Sequence, residues 1–302
     1  MSKFDTNKLM ISSDFYSVQG EGISTGIPSY FVRLSVCNLQ CGMSMKFLKA
    51  ITKAGPEALA DGEIFKGDLE LEGKASWTCD STSQWAIRGE NQDFNYLINH
   101  WKEQGIYEDI KNGTIHIIWT GGEPTIKGHQ EAIVNFRKYW YELVKNEDFP
   151  GVDFGPADRT GYQARHFDKY FAPFDEIETN GTIVIEDNLF KIIDQINCSP
   201  KLSNSGMTEK QRIVPEAIER IKQHSNYQFK FVISNEEDVE ELFRDFVVPF
   251  SIPLKNVVCM PGLDSQTDFH ERTQFVLEMA KKYKFRGLTR LHISAWDKTL
   301  NV

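Results

Sequence analysis

Along the chain, short runs of continuous or alternating apolar residues give way to longer stretches whose apolar positions recur every three or four residues. Segments 29–35 (SYFVRLS), 114–120 (TIHIIWT), 195–198, 228–234 (QFKFVIS) and 256–260 are rich in β-branched and aromatic residues and read as strands. Segment 175–179 reads as a short strand end, and 290–294 (RLHIS) as a last strand. The helical period runs through 94–104, 129–146, 185–194, 209–225, 236–246 and 269–283. Strands alternating with helices predict an α/β fold with a mainly parallel sheet and helices outside it. Right-handed crossovers curve such a sheet toward a barrel. About six βα units can be counted, against the eight of a complete barrel, so the expected architecture is an incomplete TIM-like barrel.

Two stretches break this rhythm. Residues 42–78 carry no strong period, and 150–172 are rich in Gly, Asp and aromatics. Loops of that length are usually functional insertions or disordered segments, so both read as insertions into one domain spanning residues 1–302.

Composition narrows the class. The chain has 302 residues, 40% of them apolar and 25% charged, as in an ordinary soluble enzyme. It contains no apolar run of about 18 residues and no apolar segment at its N-terminus, so a cytoplasmic location is expected, with no membrane partner. The net charge of −9 lacks the electrostatic footprint of a nucleic-acid binder.

The cysteines change the picture most. There are five, and an odd number without a signal peptide argues against a disulfide framework. Cys37 and Cys41 lie in Cys37-Asn38-Leu39-Gln40-Cys41, directly after the strand at 29–35. Two thiolates at a strand end can wrap one metal centre, and Cys79 is the next candidate. An iron–sulfur cluster, a zinc ion and plain burial are all compatible with the pair. Cys198 and Cys259 sit in apolar strand ends and read as buried small residues. Gly121 and Gly122 let a backbone approach a ligand closely, or make an ordinary βα turn. Glu178 can accept hydrogen bonds from hydroxyls or amines, whereas Asn180 or Thr182 can simply cap a helix. Arg33 presents a planar fork that suits a carboxylate, or a salt bridge along its strand.

Five segments, taken in order, carry a resemblance. They are Phe15-Tyr16-Ser17-Val18-Gln19-Gly20-Glu21-Gly22 with Gly26, Pro28 and Phe31-Val32-Arg33-Leu34; Cys37-Asn38-Leu39-Gln40-Cys41 completed by Cys79-Asp80-Ser81; Thr120-Gly121-Gly122-Glu123-Pro124-Thr125; Glu178-Thr179-Asn180-Gly181-Thr182; and Ser199-Pro200-Lys201-Leu202. Together they resemble the 7-carboxy-7-deazaguanine synthases of the radical S-adenosylmethionine (SAM) superfamily, from about residue 14 to the C-terminus, the two insertions excepted. Three departures stand out. Val36 replaces the Gly usual before the first cysteine. The usual spacing would put the third cysteine at Ser44, whereas here it is displaced to Cys79. Ser81 replaces a common Thr.

The resemblance implies that Cys37, Cys41 and Cys79 hold a [4Fe–4S] cluster whose fourth iron binds SAM. It implies SAM contacts from Gly121, Gly122, Glu123, Glu178, Thr179, Asn180, Ser199 and Lys201. Gln19, Glu21, Arg33, Thr120 and Trp296 would face a pterin substrate, with Glu21 and Arg33 catalytic, and Ser81 would bind Mg²⁺. The activity implied is ring contraction of 6-carboxy-5,6,7,8-tetrahydropterin to 7-carboxy-7-deazaguanine with loss of ammonia. A homodimer reduced by a flavodoxin or ferredoxin is expected. Two competing readings are a glycyl-radical activase and a non-catalytic, metal-stapled interaction protein.

Overall fold

A computed structural model describes residues 4–53, 75–77, 79, 89–145, 173–262, 266–297 and 299. Ser81 and most of both predicted insertions lie outside the described residues.

The described strands form one open sheet in the order β3-β1-β2-β4-β5-β6-β7-β8-β9. Strand β1 (Lys8–Val18) pairs antiparallel with β2 (Pro28–Leu34), Phe15 facing Phe31, and β3 (Glu90–Asp93) pairs antiparallel with β1 at one edge. From β2 onward every neighbour is parallel: β4 (His116–Gly121), β5 (Asp175–Thr179), β6 (Gln195–Cys198), β7 (Tyr227–Ile233), β8 (Val257–Pro261) and the two-residue β9 (Arg286–Gly287). This is the expected α/β partial barrel, with no closure between its edges.

Helices flank the sheet. They are α1 (Met45–Lys53), α2 (Asn95–Glu103), α3 (Tyr107–Lys111), α4 (Lys127–Val144), α5 (Asp187–Ile192), α6 (Glu209–Arg212), α7 (Pro215–Lys222), α8 (Glu236–Leu242), α9 (Phe269–Tyr283) and α10 (Leu291–Trp296). Alternate strand residues pack beneath them, because successive side chains of a strand point to opposite faces. Tyr30 meets Trp101 of α2, Trp119 meets Phe136 of α4, and Phe231 meets Phe246 just beyond α8, all edge-on or tilted with ring centroids 5.3–5.7 Å apart. These rings and their aliphatic neighbours form one buried cluster.

Two expectations are corrected. Segment 290–294 is not a strand; Leu291–Trp296 is helical, and the last strand lies earlier, at Arg286–Gly287. The stretch 209–225 is not one helix, because Pro215 lacks an N–H donor and restricts the residue before it to extended backbone. Val214 is extended accordingly, and Pro215 starts α7.

The inner face is polar, which decides where chemistry can occur. It carries His116, Glu176, Gln195, Asn197, Gln228 and Lys230, all at most 5% exposed. Buried polar groups must find partners or cost free energy. Here they partner one another: His116 Nδ1 lies 2.6 Å from Glu176, and Asn197 donates to Glu176 at 2.8 Å and accepts from Gln228 at 2.6 Å and Gln195 at 3.0 Å.

Candidate active site

The site is assembled from the turns that follow β2, β4, β5 and β6, the C-terminal edge where open α/β sheets bind ligands. After β2 the chain enters the cysteine loop. Leu39 N–H donates to Cys37 Sγ at 3.5 Å, and Cys79 N–H donates to the carbonyl of Cys41 at 3.2 Å. The displaced third cysteine is thus returned to the loop of the first two. Burial, and then the neighbouring Glu123, push the Cys37 thiol up to about 12. Among the described residues no three His, Cys, Asp or Glu side chains converge as they would on a single metal ion. A multi-iron cluster has no such requirement, since each thiolate ligates a different iron. Three thiols joined through one loop suit it.

The turn after β4 lies against this loop. Gly122 N–H donates to Leu34 O at 2.7 Å and Glu123 N–H to Val36 O at 2.9 Å. Gly121 adopts a φ of 106°, and a Cβ on Gly122 would fall 1.9 Å from Val36 O, so both positions require glycine. Glu123 itself is fully buried. Its carboxylate accepts from Thr125 N–H (2.9 Å) and hydroxyl (2.6 Å), from Thr179 Oγ1 (2.7 Å) and from Asn180 N–H (2.7 Å), which binds the β4 turn to the β5 turn. Burial nevertheless pushes its pKa up. Asn180 continues the staple: its side chain donates to Asn38 at 2.9 Å, and Asn38 donates to Thr182 at 2.8 Å. Ser199 N–H donates to Thr179 O at 2.7 Å, and Lys201 Nζ lies 3.4 Å from Ser199 Oγ.

On the inner wall a row of charges crosses the sheet. Lys230, 1% exposed, donates to Glu178 and, at 3.3 Å, to Glu21. Arg290 donates to the other oxygen of Glu21 at 2.8 Å. Gln19 donates to Glu178 at 3.1 Å and accepts from Glu21 N–H at 3.1 Å. Burial alone would raise the pKa of Glu21, but Arg290, Lys230 and His292 hold it far below the usual carboxylate range. Burial opposes the charge on Lys230, yet Glu178 and Glu21 keep it protonated. Burial raises the pKa of Glu178.

Comparison with known proteins bears on this arrangement. No protein-family model matches the chain. The 7-carboxy-7-deazaguanine synthase of Pyrobaculum aerophilum is 28% identical over 295 residues, covering 96% of each chain. Those of Halobacterium salinarum and Aquifex aeolicus are each 25% identical, over 97% and 95% of this chain and 92% and 94% of their own. The crystal structure of QueE from Escherichia coli shares the fold at a TM-score of 0.51 and 18% identity, over 94% of this chain and 95% of that one. The chain is similar along nearly its whole length to the 7-carboxy-7-deazaguanine synthases.

Of the residues singled out in the sequence, the structure brings Cys37, Cys41, Gly121, Gly122, Glu123, Thr179, Asn180, Ser199 and Lys201 to one edge, with Cys79 tied to Cys41. Gln19, Glu21 and Glu178 meet on the wall below. Glu123 is committed to protein partners, so it acts by fixing the two turns. The Arg33 guanidinium lies 4.8 Å over the Phe15 ring, which stacks on Phe31, and Thr120 directly precedes the Gly121 turn in β4. Trp296 stands on α10, 38% exposed, rather than beside a strand. Lys230, Arg290, Asn197 and Gln228 were not singled out from the sequence. The available signal was the polar alternation in QFKFVIS, which puts Gln228 and Lys230 on the face opposite Phe229 and Phe231.

Proposed function

We propose that the chain is a radical SAM lyase that converts 6-carboxy-5,6,7,8-tetrahydropterin to 7-carboxy-7-deazaguanine and ammonia. The observation that carries this reading is the meeting of the thiol loop, the Gly121–Gly122 turn and the Thr179–Asn180 turn above a wall holding an ionised Glu21. The proposal treats residues 1–302 as one catalytic domain working as a homodimer in the cytoplasm, with flavodoxin or ferredoxin as electron donor.

Cys37, Cys41 and Cys79 would hold a [4Fe–4S] cluster, whose chemistry with SAM is one-electron reductive cleavage to a 5′-deoxyadenosyl radical. The half-buried backbone of Gly121 and Gly122 and the side chains of Ser199 and Lys201 would seat SAM, with Glu123 holding their turns in register. Glu21, ionised, accepts from the amino and ring N–H donors of the pterin, a paired donor edge that fits two carboxylate oxygens. Arg33 binds the substrate carboxylate with its fork, its plane supported by Phe15. Thr120 and Trp296 would complete the pterin pocket. Ser81 would hold Mg²⁺ through its hydroxyl, an oxygen donor of the kind a hard cation takes.

The test is anaerobic turnover by the reconstituted protein with SAM, Mg²⁺, dithionite and 6-carboxytetrahydropterin, read by mass spectrometry. We expect 7-carboxy-7-deazaguanine, no product from Cys79→Ala, a fall in rate when Mg²⁺ is chelated, and a raised KM in Arg33→Lys. No product from a protein carrying a full cluster would refute the reading.

A further inference from the structure

Displacing the third cysteine to position 79 creates a mechanical problem. The long stretch between Cys41 and Cys79 must leave the cysteine loop and return to it within bonding reach. A ligand held loosely by even an ångström fails its site, and an untethered loop resists closure entropically. The described ends of this stretch show how the return is fixed. Gly42, at the departure, donates its N–H to Ser205 O at 2.7 Å. Ser76, at the return, donates its N–H to Asn204 O at 2.9 Å, and Trp77 Nε1 donates to Asn204 Oδ1 at 3.0 Å. Two consecutive residues therefore grip both ends.

The grip is itself anchored. Asn204 is 7% exposed, and its amide donates to Val232 O of β7 at 3.3 Å. Glu241 accepts from Ser203 N–H at 2.7 Å and from its hydroxyl at 2.5 Å, and Arg212 holds Glu241 at 3.0 Å. Any residue could supply the backbone contacts. Only a side chain that accepts from an indole N–H while donating to a strand carbonyl joins the returning segment to the sheet, and an amide does both.

We propose that Asn204 is a positioning residue for the iron–sulfur centre, delivering the Cys79 thiol by clamping Trp77 to β7. The proposal rests on the reading of Cys79 as the third cluster ligand. Its test uses the reconstituted full-length chain and the rate at which a chelator strips its iron. Cys79→Ala serves as reference, Trp77→Phe removes the indole N–H while keeping a ring, and Asn204→Leu removes the amide. Thermal melts of the iron-free chains check that each variant folds. Trp77→Phe and Asn204→Leu are each expected to lose iron about tenfold faster than wild type, the change that one buried hydrogen bond makes to a local opening equilibrium. The double variant should be no faster than the worse single, because both remove the same bond. Iron retention equal to wild type in Trp77→Phe, or additive losses in the double variant, would overturn the proposal. A full, stable cluster in Cys79→Ala would instead overturn the ligand assignment beneath it.

Discussion

Glu21, the carboxylate proposed to face the substrate, is held by a cation on each of its oxygens. Arg290 takes one of its oxygens and Lys230 the other, and Lys230 simultaneously holds Glu178. Removing the middle charge would leave two carboxylates facing each other at 18–19% side-chain exposure. Lys230→Met should therefore destabilise the fold by about 3–5 kcal/mol, the usual cost of stripping one partner from a buried ion pair. Chemical denaturation measures this, and adding Glu178→Gln should restore part of the loss. Residues inside short motifs could be singled out in the sequence, and the structure places Gly122 and Asn180 beside the cysteine loop and Glu21 on the wall below. Lys230 and Arg290 could not be singled out, because their roles depend on contacts to Glu21 across 209 and 269 residues.

Among the elements, the turn after β2 carries a conformational cost at Val36. Val36 adopts a φ of 72°, the left-handed region in which a β-branched side chain is a genuine outlier. A Gly, the residue that the resemblance leads one to expect here, fits that conformation. Val36 is 38% exposed, so little packing compensates. Val36→Gly should relieve about 1–2 kcal/mol of left-handed strain and return about half of it as extra unfolded-state entropy. A small net stabilisation, read from the denaturation midpoint, is the expected outcome. Most interior elements followed their hydrophobic period: α9 spans 269–283 as read, and β6 spans 195–198. The edges did not. Strand β3 is Glu-Asn-Gln-Asp, with no β-forming residue, and owes its conformation to pairing with β1. The alternation in 290–294 serves a short helix equally well, since five residues cannot separate the two periods.

For the whole molecule, one histidine buried under the outer layer makes stability depend on pH. His129 in α4 is fully buried and donates from Nε2 to Ser35 O at 2.6 Å. Burial lowers its pKa from 6.5 to about 4. The unfolded chain therefore binds a proton that the folded chain refuses. This contribution is complete above pH 6.5 and is lost as pH falls toward 4, amounting to about 3 kcal/mol. His129→Gln should flatten that part of the stability profile, as unfolding titrations at pH 4.5 and 7.5 would reveal.

The bond from Trp77 to Asn204 also imposes an order on biosynthesis. Its two partners are separated by 127 residues, so the segment carrying Cys79 leaves the ribosome roughly ten seconds before its anchor at ordinary elongation rates. A nascent chain that has not yet completed β6 holds that thiol on an untethered loop. On the proposed assignment of Cys79 and Asn204, stable cofactor loading of such a chain would wait for the second half of the sheet, and a fragment ending short of residue 204 would hold its iron less tightly than the full chain.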